Sequence, residues 1–228
     1  MAGSIAHRLL EVRCRINRAC ERSGRSPDAV KLVAVSKTFP VEAVLEAHEA
    51  GQDCFGESRL QEAQPKVEQL SDGYDWHFIG RVQRNKVRKI LRFFHTIHGI
   101  DSLKLAEHAD RVASELAVIP KVFFQVNIGR EESKGGFDPD QIINEAEALV
   151  QLRHLHIQGL MCIPPHELDS QSAKNWFAKM RQLKEKLEPI MGADFSHLSM
   201  GMSGDYEAAI EEGATVIRVG SAIFGGRS

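Results

Sequence analysis

The chain has 228 residues, of which 43% are hydrophobic and 26% charged, and its formal net charge is −2. This size and hydrophobic content predict one α/β domain over residues 1–228 with a substantial buried core. The near-neutral charge is not typical of nucleic-acid-binding proteins, which carry a strong basic excess.

Short apolar runs alternate with helical patterns along the chain, after a predicted N-terminal helix from Ile5 to Arg22. Eight candidate strands follow in order: KLVAVS from Lys31, DCFG from Asp53, DWHFIG from Asp75, FFHTIHGI from Phe93, KVFFQVN from Lys121, LHIQGLMC from Leu155, FSHLSMG from Phe195 and TVIRVG from Thr215. The helical patterns between them include PVEAVLEAHEAG, DSLKLAEHADRVASELA, DPDQIINEAEALVQL, QSAKNWFAKMRQLKEKLEP and SGDYEAAIEEG. This alternation predicts an α/β fold, a single (β/α)8 TIM barrel with an extra N-terminal helix. An open doubly wound sheet is the alternative, although no G-x-G-x-x-G follows the first strand.

Targeting and metal motifs are lacking in the sequence. The N-terminal segment MAGSIAHRLLEVRCRI has no apolar core typical of a secretory signal, and no run approaches the roughly 18 apolar residues of a membrane span. The four cysteines show no C-x-x-C spacing, and two histidine pairs, His95/His98 and His154/His156, have no carboxylate at a persuasive spacing. We therefore expect a cytoplasmic protein with reduced thiols, no membrane partner and no metal site.

Lys37 ends the first predicted strand in the stretch VAVSKTFP. One interpretation is an ordinary strand end, where the ammonium group reaches solvent along its apolar stem. The other is chemistry, because a lysine held against a dry barrel can lose its proton and attack a carbonyl carbon. The stretch alone favours the first interpretation.

Glycine and serine occur together in the turns after the seventh and eighth predicted strands. Barrel enzymes often hold phosphate groups in these two loops, where backbone N–H groups and hydroxyls converge. Ser203, Gly204, Gly220 and Ser221 are therefore candidate phosphate ligands. They also suit plain tight turns and helix caps, an interpretation that Asp205 supports because its carboxylate would repel a phosphate.

Arg218 interrupts the apolar strand TVIRVG. A buried arginine without an acceptor is costly, so we expect a carboxylate or a ligand atom beside it. Lys37 lies next to this strand once the barrel closes. A lysine, an arginine and two phosphate-type loops on one rim suit a phosphorylated aldehyde.

Five stretches resemble the YggS/PROSC family of pyridoxal-phosphate-binding proteins: VAVSKTFP, WHFIGRVQRNKV, QVNIGREESKGG, GLMCIPP and LSMGMSGDYEAAIEEGATVIRVGSAIFG. The resemblance implies a barrel similar to the N-terminal domain of alanine racemase and a role in vitamin B6 and amino-acid homeostasis without established catalysis. It implies that Lys37 forms a Schiff base with pyridoxal 5'-phosphate (PLP) and that Arg218 faces the pyridine nitrogen. The implied cofactor-binding set is Lys37, Ser58, Met200, Ser203, Gly204, Arg218, Gly220 and Ser221.

Three positions depart from the family pattern. Ser58 stands where the family has asparagine, which puts contacts near the cofactor ring in doubt, and Arg81 replaces a histidine. Ser221 replaces a threonine and keeps the hydroxyl.

The arginine partner argues against catalysis, because arginine only donates hydrogen bonds and therefore requires an unprotonated pyridine nitrogen, a weaker electron sink. Racemases also need a second acid–base group, and the two tyrosines are poor candidates: Tyr74 precedes the third strand at the opposite rim, and Tyr206 fits helix packing. We predict a monomeric, non-catalytic PLP carrier that supplies apo PLP-dependent enzymes. The alternatives are a PLP-dependent racemase-like enzyme and a Schiff-base sugar-phosphate aldolase.

Overall fold

Strands and helices alternate along the whole described chain, which in this computed structural model comprises residues 3–70, 73–165 and 170–226. The strands are β1 Lys31–Val35, β2 Cys54–Glu57, β3 Asp75–Phe78, β4 Thr96–Ile100, β5 Lys121–Val126, β6 His156–Cys162, β7 His197–Ser199 and β8 Val216–Val219. The helices are α1 Ile5–Arg22, α2 Val41–Glu49, α3 Leu60–Gln69, α4 Val87–Phe93, α5 Leu103–Leu116, α6 Pro139–Leu149, α7 Ser170–Met191, α8 Tyr206–Glu211 and α9 Ser221–Phe224. Two 3-10 turns, Pro27–Ala29 and Arg84–Lys86, complete the series.

The eight strands form a closed parallel barrel in sequence order. Closure is made by β1 and β8, whose register pairs Val33 with Arg218 and Ala34 with Val219. The predicted (β/α)8 barrel and N-terminal helix are confirmed, and the open-sheet alternative is wrong.

The fourth strand begins later in the sequence than predicted. Phe93 ends α4, and Phe94 is buried against Phe78 with ring centroids 5.2 Å apart, so the strand starts only at Thr96. A short apolar run cannot be distinguished from the end of a buried helix by periodicity alone. Helix α3 was not predicted from the sequence.

Buried apolar side chains form two clusters. The larger one joins the helices to the outer faces of the strands. The smaller one comprises Val33, Cys54, Phe123, Met161 and Val216, which come from five different strands and fill the barrel interior. As in other barrels, this interior is a packed core, so ligands must bind at its ends.

Helix α1 packs against α8 and α9, the two helices that follow the glycine–serine turns. Ser4 caps α1, and Leu9, Val12 and Ile16 are among the side chains that bury its inner face. Arg8 Nε donates a hydrogen bond to the carbonyl oxygen of Ile223 at 2.6 Å. The extra N-terminal helix thus supports the elements behind both turns.

Within the described parts of the chain, no helix combines the length and hydrophobicity that a bilayer crossing requires. All four cysteines are free thiols: Cys14 is exposed, and Cys20, Cys54 and Cys162 are buried.

Candidate functional site

A pocket of about 290 Å³ opens at the carboxyl ends of β1, β7 and β8. This volume is near the lower limit of small-molecule sites, about 300 Å³. Its described lining comprises Val35, Lys37, Phe39, Ile79, Ile163, Met202, Ser203, Gly204, Arg218, Gly220, Ser221 and Gly225. The structure therefore brings six of the eight predicted cofactor-binding residues to one pocket.

Lys37 lies in the turn that leaves β1 and is half-buried. The next residue, Thr38, has φ of 70°, a left-handed conformation that is strained for a β-branched side chain. Phe39 then packs on Phe224, with ring centroids 5.1 Å apart. A strained backbone conformation persists only where the surrounding packing enforces it, and such conformations are concentrated at functional sites.

A buried ion pair anchors the residue before Lys37. Glu57 Oε1 accepts hydrogen bonds from Lys66 Nζ at 2.8 Å and from Ser36 Oγ at 2.7 Å. Lys66 Nζ also donates to the carbonyl oxygen of Ser36 at 2.9 Å. Burial raises the pKa of the Glu57 carboxyl, whereas the Lys66 ammonium opposes that shift. Ser36 is thereby held by both its hydroxyl and its backbone.

Ser203 links the two glycine–serine turns. Its Oγ accepts hydrogen bonds from the backbone N–H groups of Gly220 at 3.2 Å and Ala222 at 3.3 Å. A hydroxyl that accepts twice still has its own proton to donate. Among the described residues, the backbone N–H groups of Ser203, Gly204 and Ser221 donate to no acceptor. Together these donors make the turns suitable for an anion.

Asp205 does not lie among the described lining residues of the pocket. Its Oδ1 accepts a hydrogen bond from the backbone N–H of Met202 at 2.6 Å, within the turn itself. The carboxylate stabilises the turn in this way, so both interpretations of the Ser203 turn, as a structural turn and as an anion site, are compatible with its geometry.

Arg218 is buried beneath the pocket, and its hydrogen-bond acceptors differ from those predicted. Its Nη1 donates to Ser199 Oγ at 2.7 Å and to the Ser199 carbonyl oxygen at 2.8 Å, and its Nη2 donates to the Cys162 carbonyl oxygen at 2.9 Å. Of the two expected acceptors, a carboxylate or a ligand atom, the first is not found among the described residues, because strands β6 and β7 supply neutral oxygens instead. Burial lowers the pKa of the guanidinium, yet arginine remains protonated in proteins.

Two predicted residues lie outside the described lining of the pocket. Met200 is fully buried in the core, and Ser58 is half-buried at the end of β2. Arg81 is exposed. These positions give no pocket contact that would support the roles assigned to Ser58 and Met200.

Apolar lining residues were missed by the sequence reasoning, although a signal was present. Phe39, Ile79 and Ile163 come from the turns after β1, β3 and β6, and Met202 from the turn after β7. Residues just beyond barrel strands are expected at the site. Ile163 and Met202 are also 39% and 37% exposed, which makes the rim of the pocket partly apolar.

Titratable groups are scarce around the pocket: among its described lining residues they are Lys37 and Arg218. Tyr206 is 1% exposed and packs in the core, with Arg15 stacked 5.2 Å from its ring centroid. Tyr74 precedes β3 and stacks on Trp76, as expected for the opposite rim. Tyr206 therefore fits the packing role predicted for it, and Tyr74 fits its predicted place away from the pocket.

Two of the histidines lie beside partners that are distant in the sequence. His98 pairs with His77 of β3, and not with His95, with a distance of 2.9 Å between ring nitrogens. His154 instead faces Asp110, with 3.3 Å between its Nδ1 and a carboxylate oxygen. Barrel closure decides these neighbours, and sequence spacing does not.

Comparisons with known proteins agree with this geometry. A family model described as the N-terminal domain of alanine racemase matches residues 9–228. A pyridoxal phosphate homeostasis protein of Pseudomonas aeruginosa is 44% identical over 225 residues, covering 98% of this chain and 96% of that protein. One from Aquifex aeolicus is 40% identical over 221 residues, covering 96% and 97%. The structure of PipY from Synechococcus elongatus PCC7942 with PLP bound matches with a TM-score of 0.86 at 40% identity, covering 97% of this chain and all of that one.

Proposed function

The chain belongs to the pyridoxal phosphate homeostasis protein family, and we propose that it binds PLP in the pocket between β1 and β8 and acts as a non-catalytic carrier in vitamin B6 homeostasis. One observation carries this proposal. The described lining of the pocket combines one lysine, one arginine and an anion-binding pair of turns with no further titratable side chain.

The donor set fits the cofactor. Ser203, Gly204 and Ser221 offer hydroxyl and backbone donors for a phosphate, and a side-chain carbon at Gly204 would meet nothing within 4 Å. Lys37 offers the amine for a Schiff base, and Arg218 offers N–H donors toward the pyridine nitrogen. When bound, PLP supplies an aldehyde that condenses with a primary amine and releases water.

The remaining two predicted residues have weaker support. Ser58 and Met200 stay in the proposed set on the family resemblance alone, because they do not contact the described pocket.

The residues around the proposed cofactor site support a role without catalysis. Arg218 requires an unprotonated pyridine nitrogen, because a guanidinium cannot accept a hydrogen bond. A racemase also needs an acid–base group on each face of its substrate, and Tyr206 is buried in the core outside the described lining. A missing acid–base group leaves turnover slower by about 10²–10⁴-fold.

The loaded protein is therefore expected to exchange the α-hydrogen of L-alanine and L-serine in deuterated water no faster than free PLP does. NMR and chiral chromatography measure exchange and racemisation in the same sample. In parallel, an apo PLP-dependent enzyme should regain activity when it is mixed directly with the loaded protein, without a dialysis membrane between them. Exchange far above that of free PLP, abolished by Tyr206→Phe or Lys37→Ala, would replace the carrier with a racemase-like enzyme.

Phosphate binding should depend on Ser203 more than on Ser221. Ser221→Ala removes one exposed hydroxyl, so PLP affinity should fall about tenfold at most. Ser203→Ala also leaves the N–H groups of Gly220 and Ala222 without their acceptor, which loosens both turns. We expect Ser203→Ala to weaken PLP binding by a further factor of about three to ten.

Pyridoxal, which lacks the phosphate, is the matched control ligand for both serine variants. Fluorescence titration should give the same pyridoxal affinity for Ser221→Ala and the native protein. If pyridoxal and PLP lost affinity equally in Ser221→Ala, that serine would act elsewhere than on the phosphate.

The proposal also covers the domain organisation, the oligomeric state and the cellular location. We propose that residues 1–228 form one cofactor-binding domain, since β1 to β8 close a single barrel. A monomer is proposed, and light scattering measures the oligomeric state directly. The four free thiols support a cytoplasmic location, where fractionation should find the protein.

A further inference from the structure

A line of hydrogen-bonded polar side chains crosses the barrel interior from Arg218 to the opposite rim. Arg218 Nη1 is 2.7 Å from Ser199 Oγ, which is 2.8 Å from His98 Nδ1. His98 Nε2 is 2.9 Å from Nδ1 of His77, and His77 Nε2 is 3.2 Å from Oδ2 of Asp75. These residues come from β8, β7, β4 and β3, so the line spans the whole barrel.

The direction of each bond follows from its two ends. Arg218 only donates and the Asp75 carboxylate only accepts, so a neutral His77 carries its proton on Nε2 and accepts at Nδ1. His98 then donates from Nε2 and accepts at Nδ1. The hydroxyl of Ser199 can therefore donate to His98 while its lone pairs face Arg218. Every donor in the line points from the arginine toward the carboxylate.

The surroundings favour this neutral arrangement. His98 and Ser199 are fully buried, and His77 is 3% exposed. Phe123 stacks on His98 with ring centroids 4.6 Å apart, which fixes the plane of the imidazole. Burial lowers the pKa of His77, against the opposing effect of Asp75, and lowers that of His98 further, which favours the neutral form of both rings. At the far rim, the hydrogen bond from His77 and the ion pair with Lys31 Nζ at 2.8 Å hold the pKa of the Asp75 carboxyl well below its usual range.

We propose that His98 and His77, anchored by Asp75, are positioning residues for Arg218 at the base of the cofactor pocket. His98 Nδ1 accepts the hydrogen bond from the Ser199 hydroxyl. The lone pairs of Ser199 Oγ then remain directed at Arg218 Nη1, which sets the orientation of the guanidinium group. Such buried, fully satisfied networks rigidify the groups that they connect. The role toward PLP rests on the proposed function, whereas the hydrogen-bond line itself does not.

The test compares two nearly isosteric substitutions, His98→Leu and His98→Asn. Leucine gives Ser199 no acceptor, so affinity for PLP and for pyridoxal should fall by the same factor, about three to ten. The oxygen of asparagine can accept from Ser199, but the shorter side chain loses the bond to His77, so His98→Asn should lose affinity by no more than about threefold, less than His98→Leu loses. Equal losses for the two ligands distinguish this effect from loss of phosphate contacts.

Gln52→Leu is the control for a merely structural effect. Gln52 is buried and donates to the carbonyl oxygens of Leu32 and Cys54 at 2.9 and 2.7 Å, without touching the histidine line. It should lower thermal stability as His98→Leu does and leave both ligand affinities unchanged.

A second measurement needs neither variants nor ligand. ¹⁵N NMR of the cofactor-free native protein at pH 7 should show His77 and His98 neutral, each protonated on Nε2 alone. Protonation of His98 on Nδ1, or unchanged binding by a folded His98→Leu protein, would overturn the positioning role. Equal losses in His98→Asn and His98→Leu would also overturn it, because shape alone would then matter. Failure of the native protein to bind PLP would contradict the proposed function instead, and the NMR result would still decide the hydrogen-bond line.

Discussion

The Lys37→Ala protein is expected to leave purification without covalently attached cofactor and without the visible absorbance of the native protein. Lys37 is the one lysine among the described residues that line the pocket, which it shares with the two glycine–serine turns and Arg218. Loss of the covalent bond should lower the retention of PLP by about 100-fold or more, equivalent to about 3 kcal/mol. Equilibrium dialysis against PLP, with the absorption spectrum recorded in parallel, measures both effects.

Lys134→Ala is the matched control for this prediction. Lys134 Nζ donates to the carbonyl oxygen of Pro164 at 3.0 Å, next to the pocket residue Ile163, so it is a neighbouring lysine outside the described lining. Its removal should leave the spectrum unchanged. Borohydride reduction of the native protein followed by peptide mass mapping should place the pyridoxyl group on Lys37. A label found chiefly on Lys31, Lys86 or Lys134 would show that the assignment is wrong.

The barrel could be predicted because its signal is local and repeated. Each strand is an apolar run bounded by turn residues, and eight of them alternating with helical patterns leave few other architectures. The rule that active sites lie beyond the carboxyl ends of the strands then brought Lys37 and the turns at Ser203 and Gly220 to the same rim. Six of the eight predicted residues line one pocket for that reason.

The partners of buried polar residues could not be predicted in the same way. Arg218 is bonded to Ser199 and Cys162 of two other strands, and His98 pairs with His77 across the interior. Such contacts depend on barrel register, which one strand's sequence does not reveal. The apolar strand around Arg218 indicated only that an acceptor was needed.

Ser58 and Met200 show the limit of transfer from a resemblance. Both positions were assigned through the family pattern. Met200, however, is fully buried in the core. Ser58 lies beside Gly80, and a side-chain carbon at position 80 would approach the Ser58 carbonyl oxygen to 2.1 Å. A motif shows that a residue is close to the site in the sequence. Whether its side chain points toward the site depends on the alternation of side chains along the strand.

Glu57 and Lys66 were also missed, because one lies in a short strand and the other in the helix α3 that was not recognised. Their ion pair is nearly inaccessible, with Glu57 fully buried and Lys66 6% exposed. The second carboxylate oxygen of Glu57 has no hydrogen-bond partner among the described residues. The stability of this region therefore depends strongly on the single ammonium group.

Lys66→Met is expected to lower the free energy of unfolding by about 3–5 kcal/mol, because it leaves a buried carboxylate without its cation. Replacing both residues, as in the Glu57→Met and Lys66→Met double variant, should recover most of that loss, since an apolar pair avoids the cost of burying charge. Urea denaturation of the cofactor-free proteins measures these differences.

Lys184→Met is the control for this pair. Lys184 forms an ion pair with Glu188, four residues later in α7, at 3.0 Å, and the two side chains are 15% and 40% exposed, so loss of this less buried pair should cost about 1 kcal/mol. If Lys66→Met cost as little as Lys184→Met, Glu57 would be protonated in the folded protein and the charged pair would be absent. If the ion pair is present, the folded double variant should still bind PLP more weakly than the native protein, because Ser36 has lost both side-chain partners that hold the turn before Lys37. Glu57 and Lys66 would then also position Lys37, the residue proposed to bind the cofactor.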